Sequence, residues 1–161
     1  MIILGIDPGF QYAGFSILKK EGQRVFLIEA GFLKMSSTEP LHHRVAKFHD
    51  FFHAKILAHT VTDLALETPF LGKNAQNFLK LGYLRGILYL LASQHSLALH
   101  EFSPTQVKLA VTGSGGASKE QVAYVVLKLF PRLEQPKKAD VTDSLAVSLC
   151  GIWQNKNLTA R

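Results

Sequence analysis

Two short apolar runs along the chain each end in a carboxylate. Residues 2–7 and 63–67 are nearly continuous in apolar side chains until Asp7 and Glu67, a pattern that predicts strands buried on both faces. A buried, isolated carboxylate costs several kcal/mol unless a cation meets it. Asp7 could simply begin the turn at Pro8-Gly9, so its role depends on which other residues converge on it.

The remaining hydrophobic pattern predicts three more strands and five helices. The strands are expected at Gly14–Leu18, Arg24–Leu33 and Leu97–Phe102. The helices are expected at about residues 41–59, 74–93, 104–111, 118–130 and 139–153. Ser-Pro-Thr-Gln at 103–106 and Ser-Lys-Glu-Gln at 118–121 match capping boxes at two of the helix starts. We therefore expect an α/β domain with a five-stranded mixed sheet, an antiparallel meander followed by parallel strands, flanked by helices.

Composition narrows the class of protein. The chain of 161 residues is most simply one domain, with residues 155–161 as a frayed tail. No apolar run reaches the roughly 18 residues that span a bilayer, so no membrane association is expected. The single cysteine, Cys150, is predicted to be an inert buried thiol in a reducing compartment, the cytoplasm. A net charge of +6 favours a polyanionic partner.

The last helix carries two acids that share one face. Asp140 and Asp143 are three residues apart, and their face continues into Val147 and Cys150. Capping at the helix N-terminus can explain one acid, but not a pair on a buried helix. Together with the two strand-end acids they form a predicted group of four, which can meet only if bound cations relieve their repulsion.

Carboxylates without histidine or cysteine select hard cations, Mg²⁺ or Mn²⁺. A cluster of four acids suits two ions about 4 Å apart, the arrangement that hydrolyses phosphodiesters. A rival zinc site at His42, His49 and His53 lacks the H-E-x-x-H pattern. The glycine-rich stretch 113–117 fails the pattern of a nucleotide-binding P-loop.

Two glycines, Gly82 and Gly86, lie one turn apart in the second predicted helix. Glycine inside a helix costs about 1 kcal/mol relative to alanine, so the pair predicts close approach of another backbone. That backbone can belong to this chain's own sheet or to a second subunit.

Several segments together resemble the RuvC family of bacterial Holliday junction resolvases. They are G-I-D-P-G at 5–9, L-E-T-P-F at 66–70, K-N-A at 73–75, L-G-Y-L-R-G at 81–86, S-P-T-Q-V-K at 103–108 and A-D-V-T-D-S-L-A at 139–146. Their order and spacing cover nearly the whole chain. The resemblance implies an RNase H-like fold, a homodimer, and Mg²⁺-dependent paired nicking of four-way junction DNA beside a RuvA-RuvB-type branch-migration complex.

The resemblance also implies roles for particular residues. The metal-binding catalytic positions of the family fall on Asp7, Glu67, Asp140 and Asp143. Lysines near the scissile DNA fall on Lys108 and Lys119, an aromatic near the junction centre on Phe70, and the dimer helix on Gly82 and Gly86. Thr68-Pro69 and the glycine-rich 113–117 loop depart from the family pattern, which leaves the loop geometry near DNA open.

Two other functions fit parts of the pattern. Actin-like sugar kinases and ATPases also open with a strand, an Asp and a glycine turn, but they need a second lobe and a second phosphate loop. A non-catalytic module that binds junctions or other structured nucleic acids is the other alternative. A surface that binds phosphates would not keep four carboxylates unless metal used them, so we favour the nuclease.

Overall fold

Five strands and five helices follow one another in a computed structural model, which describes residues 1–69 and 75–154. The strands are β1 (Ile2–Asp7), β2 (Tyr12–Glu21), β3 (Arg24–Lys34), β4 (Asp63–Glu67) and β5 (Ala98–Phe102). The helices are α1 (Leu41–His59), α2 (Ala75–Gln94), α3 (Pro104–Thr112), α4 (Lys119–Leu129) and α5 (Ala139–Gln154). Every predicted element within the described residues is present, with ends that differ by three residues at most.

The sheet has the strand order β3-β2-β1-β4-β5. β1 pairs antiparallel with β2 and β2 with β3, whereas β4 runs parallel to β1 and β5 parallel to β4. The predicted meander followed by parallel strands is confirmed. Because β1 and β4 are parallel neighbours, their carboxyl ends lie at the same edge of the sheet.

One face of the sheet carries large apolar side chains and packs against α1 and α2. Strand side chains such as Leu4, Ile6, Leu64 and Leu66 are fully buried there. Helix side chains complete this half of the core: Phe48, Phe52, Ile56, Leu84, Leu88 and Leu91. The helices are held away from the sheet by the length of these side chains.

The opposite face has small residues along its centre, and α5 packs closely on it. A Cβ added to Gly5 would lie 2.5 Å from the backbone oxygen of Ser144. Ser16 and Ser148 share a buried hydrogen bond of 2.8 Å between strand and helix. This close approach, with nearly all of α5 from Val141 to Ile152 buried, confirms the prediction of a buried last helix and fixes where its first turn lies.

The N-caps of α3 and α4 agree with the sequence prediction, and the N-cap of α1 does not. Both predicted capping boxes, at Ser103 and Ser118, are present. The sequence Ser-Ser-Thr-Glu-Pro at 36–40 also predicts polar caps and a first-turn proline for α1. That prediction is wrong, because the N-cap is Pro40 itself and no side chain caps this helix. Among the residues described, no helix is long and apolar enough to cross a membrane.

Candidate active site

Asp7 and Glu67 lie side by side at the carboxyl edge of the sheet. Ile6 pairs with Leu66 in the parallel ladder, so each acid is the next residue along its strand. Side chains alternate between the two faces of a strand, and both acids fall on the face that α5 covers. The register of two strands therefore brings together carboxylates that are 60 positions apart in sequence.

Gly14 allows the first turn of α5 to reach these acids. Gly14 stands opposite Asp7 on β2, and a Cβ there would lie 2.0 Å from the carbonyl oxygen of Asp140. Any larger residue would push the start of α5 away from Asp7. Sequence reasoning missed this positioning role, although a glycine inside a strand is a known signal of close backbone approach.

A cavity of about 320 Å³ opens between the strand ends, α3, α4 and α5. Its charged lining consists of Asp7, Glu67, Asp143, Lys108 and Lys119. Its apolar walls include Val107, Val122, Ala146 and Val147. Five of the six charged residues predicted for the site therefore line one cavity.

Asp140 does not line this cavity but lies close enough to act on Asp7. Burial raises the pKa of Asp7, the charges of Asp143 and Asp140 raise it further, and Lys119 only partly opposes them, so that the pKa moves from 3.8 to about 7. Glu67 contributes a smaller effect in the same direction. All four predicted acids thus belong to one electrostatic group.

Glu67 is shifted in the same direction. Burial raises its pKa, and the charge of Asp143 adds to the effect. Lys119 and Lys108 lower it, but not enough to cancel the rise. Two lysines therefore leave this group of acids only partly neutralised.

Lys119 makes a direct contact with the acids. Its Nζ donates a hydrogen bond of 3.1 Å to Oδ2 of Asp143. The pKa of Lys119 is raised mainly by Asp143, with smaller effects from Asp7 and Glu67. Because the Lys119 side chain is 78% exposed, this ion pair adds little stability and can exchange for another cation at low cost.

The donors of this cavity fit a divalent cation in kind and in charge. They are hard carboxylate oxygens, and the pKa of Asp7 and of Glu67 is raised first by burial and then by repulsion from the other acids, both of which a bound cation would offset. Within residues 1–69 and 75–154, no three histidine, cysteine or acidic side chains are placed to hold one ion as they stand. Side-chain rotation, including release of Asp143 from Lys119, would accompany binding.

The histidines on α1 contact one another and His95. His49 and His53 are stacked with ring centroids 5.6 Å apart. Nδ1 of His53 lies 2.9 Å from Nε2 of His95, as a hydrogen bond between the two rings. As they stand in the described part of the chain, these histidines, like the acids, do not form a group of three placed around one ion.

The glycine pair on α2 does not pack against any of the residues that the structure describes. Gly82 and Gly86 are exposed, and a Cβ added to either would meet no atom within 4 Å. The alternative in which they pack against this chain's own sheet is therefore wrong. Phe70 and the tail at 155–161 lie outside the described residues.

Comparison with known proteins identifies the family. The sequence model described as "Crossover junction endodeoxyribonuclease RuvC" matches residues 3–151. A curated relative with that name from Pelodictyon phaeoclathratiforme is 38% identical over 94% of this chain and 80% of its own length. The chain belongs to the RuvC family. A RuvC of the same name from a Sulfurovum species is 39% identical over 97% of this chain and 98% of its own length.

A solved structure of the family supports the fold. It is described as "T. thermophilus RuvC in complex with Holliday junction substrate" and is 27% identical in sequence, with a TM-score of 0.91. The match covers 100% of this chain and 98% of the other. The expected RNase H-like α/β fold with a five-stranded mixed sheet is confirmed.

Proposed function

We propose that this protein is a structure-specific DNA endonuclease that resolves Holliday junctions in recombination and repair. The observation that carries the proposal is the cavity where Asp7, Glu67 and Asp143 meet beneath Lys108 and Lys119, in a chain of this family. The acids supply a cation site, and the lysines supply positive charge for a phosphate. A junction is the substrate bound by the T. thermophilus relative.

The cofactor proposed is Mg²⁺, two ions in each site, with Mn²⁺ as a substitute. Asp7, Glu67, Asp140 and Asp143 would hold them. Such ions lower the pKa of a bound water and stabilise the leaving oxygen in phosphodiester hydrolysis. The chain's own contribution is to orient four carboxylates at a shared edge and to hold the phosphate near them through the two lysines.

A homodimer is proposed because α2 has a stripe of apolar side chains that are exposed to solvent. Leu79 is 59% exposed, Tyr83 43% and Leu90 47%, at helical spacing around Gly82 and Gly86. Two glycines that meet no atom of residues 1–69 and 75–154 leave room for the backbone of a second copy. A two-fold dimer would place two equivalent cavities against two strands of a four-way junction.

Substitution of Gly86→Leu or Gly82→Leu should convert the dimer to a monomer in analytical ultracentrifugation. Lys80→Leu is the matched control, because Lys80 is an exposed residue of the same helix that lies off the stripe. A Gly86→Leu protein that remains a folded dimer would place the interface elsewhere.

Phe70 is proposed to stack on an unpaired base at the junction centre. Stacking of this kind is worth about 1–3 kcal/mol per base. Phe70→Ala should therefore slow cleavage of intact junctions far more than cleavage of junctions with unpaired bases at the branch point. Equal slowing of both substrates together with a lower melting temperature would assign the ring to the hydrophobic core.

The proposed setting is the bacterial cytoplasm, beside a RuvA-RuvB-type branch-migration complex. The basic net charge of +6 suits an assembly built on DNA. Co-sedimentation of the protein with a junction already bound by such a complex would test the partnership. Competition for the junction, without a ternary complex, would contradict it.

Cleavage of a synthetic immobile four-way junction tests the proposed function. With Mg²⁺ we expect paired nicks at symmetric positions in two strands, no nicks in a linear duplex with the same arm sequences, and none with Glu67→Gln. Tight junction binding without any cleavage in Mg²⁺ or Mn²⁺ would favour the non-catalytic binding module instead.

A further inference from the structure

A buried arginine lies behind Glu67, on the side of the sheet away from the cavity. Arg85 of α2 is only 5% exposed. Its Nη1 donates a hydrogen bond of 2.6 Å to the main-chain carbonyl of Glu67. Burying a guanidinium is costly unless its donors are satisfied, and both terminal nitrogens of Arg85 donate hydrogen bonds.

The peptide unit after Glu67 is held from two directions. Its carbonyl accepts from Arg85, and its N–H, that of Thr68, donates to the carbonyl of Phe102 at 2.7 Å. The first contact comes from α2 and the second from β5. Because both ends of one planar peptide are fixed, the backbone from which the Glu67 side chain projects cannot rotate freely.

Arg85 is itself fixed by two partners. Nη2 donates to the hydroxyl of Tyr89 at 3.1 Å and forms a short ion pair with Glu101. The Tyr89 hydroxyl donates to the same carboxylate oxygen of Glu101 at 2.8 Å. Glu101 lies on β5 opposite Leu66, so the network joins α2, β4 and β5 around the end of the strand that carries Glu67.

We propose that Arg85 is a positioning residue for the metal site: through the Glu67 carbonyl it holds the Glu67 carboxylate in the orientation that binds a divalent cation. The inference rests on the proposed function. The planar fork of arginine serves the carbonyl and the Glu101 carboxylate at once, which a lysine ammonium at one point does not. Groups that orient ligands from behind typically change metal affinity or activity by about 10- to 100-fold when removed.

Arg85→Met is the primary test, and Lys55→Met is its control. Lys55 also forms an ion pair, with Glu29, and its side chain is 23% exposed. Glu29 pairs with Ile17 in the middle of the β2–β3 ladder, away from the strand ends that carry Asp7 and Glu67. The control therefore loses a comparable contact without touching the cavity.

Three quantities are measured at a temperature at which both variants are folded. The first is Mn²⁺ binding to the protein alone, by calorimetry or electron paramagnetic resonance. The second is single-turnover nicking at saturating junction, with junction affinity determined separately. For Arg85→Met we expect Mn²⁺ affinity and the nicking rate to fall about 10-fold or more, with junction affinity within about 2-fold of wild type. Arg85→Lys should recover part of the loss, and Lys55→Met should match wild type in all three.

Tyr89→Phe keeps the test decisive if Arg85→Met does not fold. This variant removes one hydroxyl from the network and leaves Arg85 in place, and we expect a smaller loss of Mn²⁺ affinity, about 3-fold. A folded Arg85→Met, or failing that Tyr89→Phe, with wild-type Mn²⁺ affinity and nicking would overturn the positioning role while the proposed function stands. A wild-type protein that neither binds Mn²⁺ nor nicks junctions overturns both.

Discussion

The strand β4 carries a carboxylate at each end, and the two have opposite environments. Burial alone would raise the pKa of Asp63, but hydrogen bonds from His100 at 2.8 Å and from the Thr62 hydroxyl at 2.6 Å outweigh it and lower the pKa. Glu67 at the other end is raised by burial and by Asp143. An acid whose charge is stabilised by hydrogen bonds, such as Asp63, has a structural role. A buried acid whose charged neighbours are mainly other acids, such as Glu67, is typical of a functional site, here one that would bind a cation.

The largest expected difference between the four site acids and Asp63 is in the rate of junction nicking. Asp7→Asn, Glu67→Gln, Asp140→Asn and Asp143→Asn should each reduce junction nicking by about three orders of magnitude or more, because a metal ligand supplies several kcal/mol of transition-state stabilisation. Asp63→Asn should nick at close to the wild-type rate when assayed below its melting temperature. Retained cleavage by two of the four site variants would contradict the two-ion site.

Stability should respond to pH with opposite signs at Asp63 and at Asp7, which lies beside Glu67 at the end of β1. The Asp7 carboxyl has a pKa of about 7 in the folded protein and 3.8 in the unfolded chain. Between these values the folded state binds more protons, so stability falls as pH rises. Without metal, Asp7→Asn should therefore be more stable than wild type at pH 8, by about 2–4 kcal/mol, and equal to it below about pH 4.

Asp63→Asn should show the reverse. The pKa of Asp63 is lowered on folding, so its contribution is present above its unfolded pKa and is lost as the pH falls through the folded value. The variant should be less stable than wild type at pH 8 by about 1–3 kcal/mol, and the difference should shrink in acid. Denaturant unfolding in EDTA from pH 3 to 8 measures the free energy of unfolding of both variants. A change of the same sign relative to wild type in both would contradict the opposite pKa shifts of Asp7 and Asp63.

Lys119 reduces the difference in pKa shift between the site acids and Asp63. It lowers the pKa of Asp7 and of Glu67, so Lys119→Met should raise both. At fixed Mg²⁺ the rising limb of the nicking rate against pH should move upward by up to about one pH unit. Lys128→Met, an exposed lysine of the same helix that packs over the Tyr124 ring, should leave the limb in place; an equal movement in both variants would implicate net charge alone.

The smallest expected effect is on DNA affinity. Lys108→Ala and Lys119→Ala should each reduce the slope of log affinity against log salt by about one if each lysine contacts a phosphate. Asp63→Asn, at the opposite end of β4, should leave the slope unchanged. A wild-type slope in either lysine variant would show that this lysine acts only on the acids.

Much of this site could be predicted from local pattern. Apolar runs that end in an acid predicted Asp7 and Glu67 at the ends of two strands, and the i,i+3 spacing predicted Asp140 and Asp143 on one face of α5. Such patterns depend only on strand and helix periodicity. They say nothing of distance across the fold, so Asp140 beside the cavity rather than in its lining was not foreseen.

The residues that were missed act through long-range contacts. Gly14 matters because Asp140, more than 120 positions later, packs on its backbone. Arg85 had no signal of its own in the L-G-Y-L-R-G segment, since its partners Glu67 and Glu101 are brought to it only by the order of β4 and β5. For Gly82 and Gly86 the sequence predicted a close neighbour, but it could not say in which chain.

The central claim, that the four acids form a divalent metal site, is tested most directly by anomalous scattering from Mn²⁺ in crystals of the protein with an uncleaved junction. We expect anomalous peaks between Asp7, Glu67, Asp140 and Asp143, next to a phosphate. Absence of any peak in this cavity at saturating Mn²⁺, or a peak at His49, His53 and His95 instead, would contradict it.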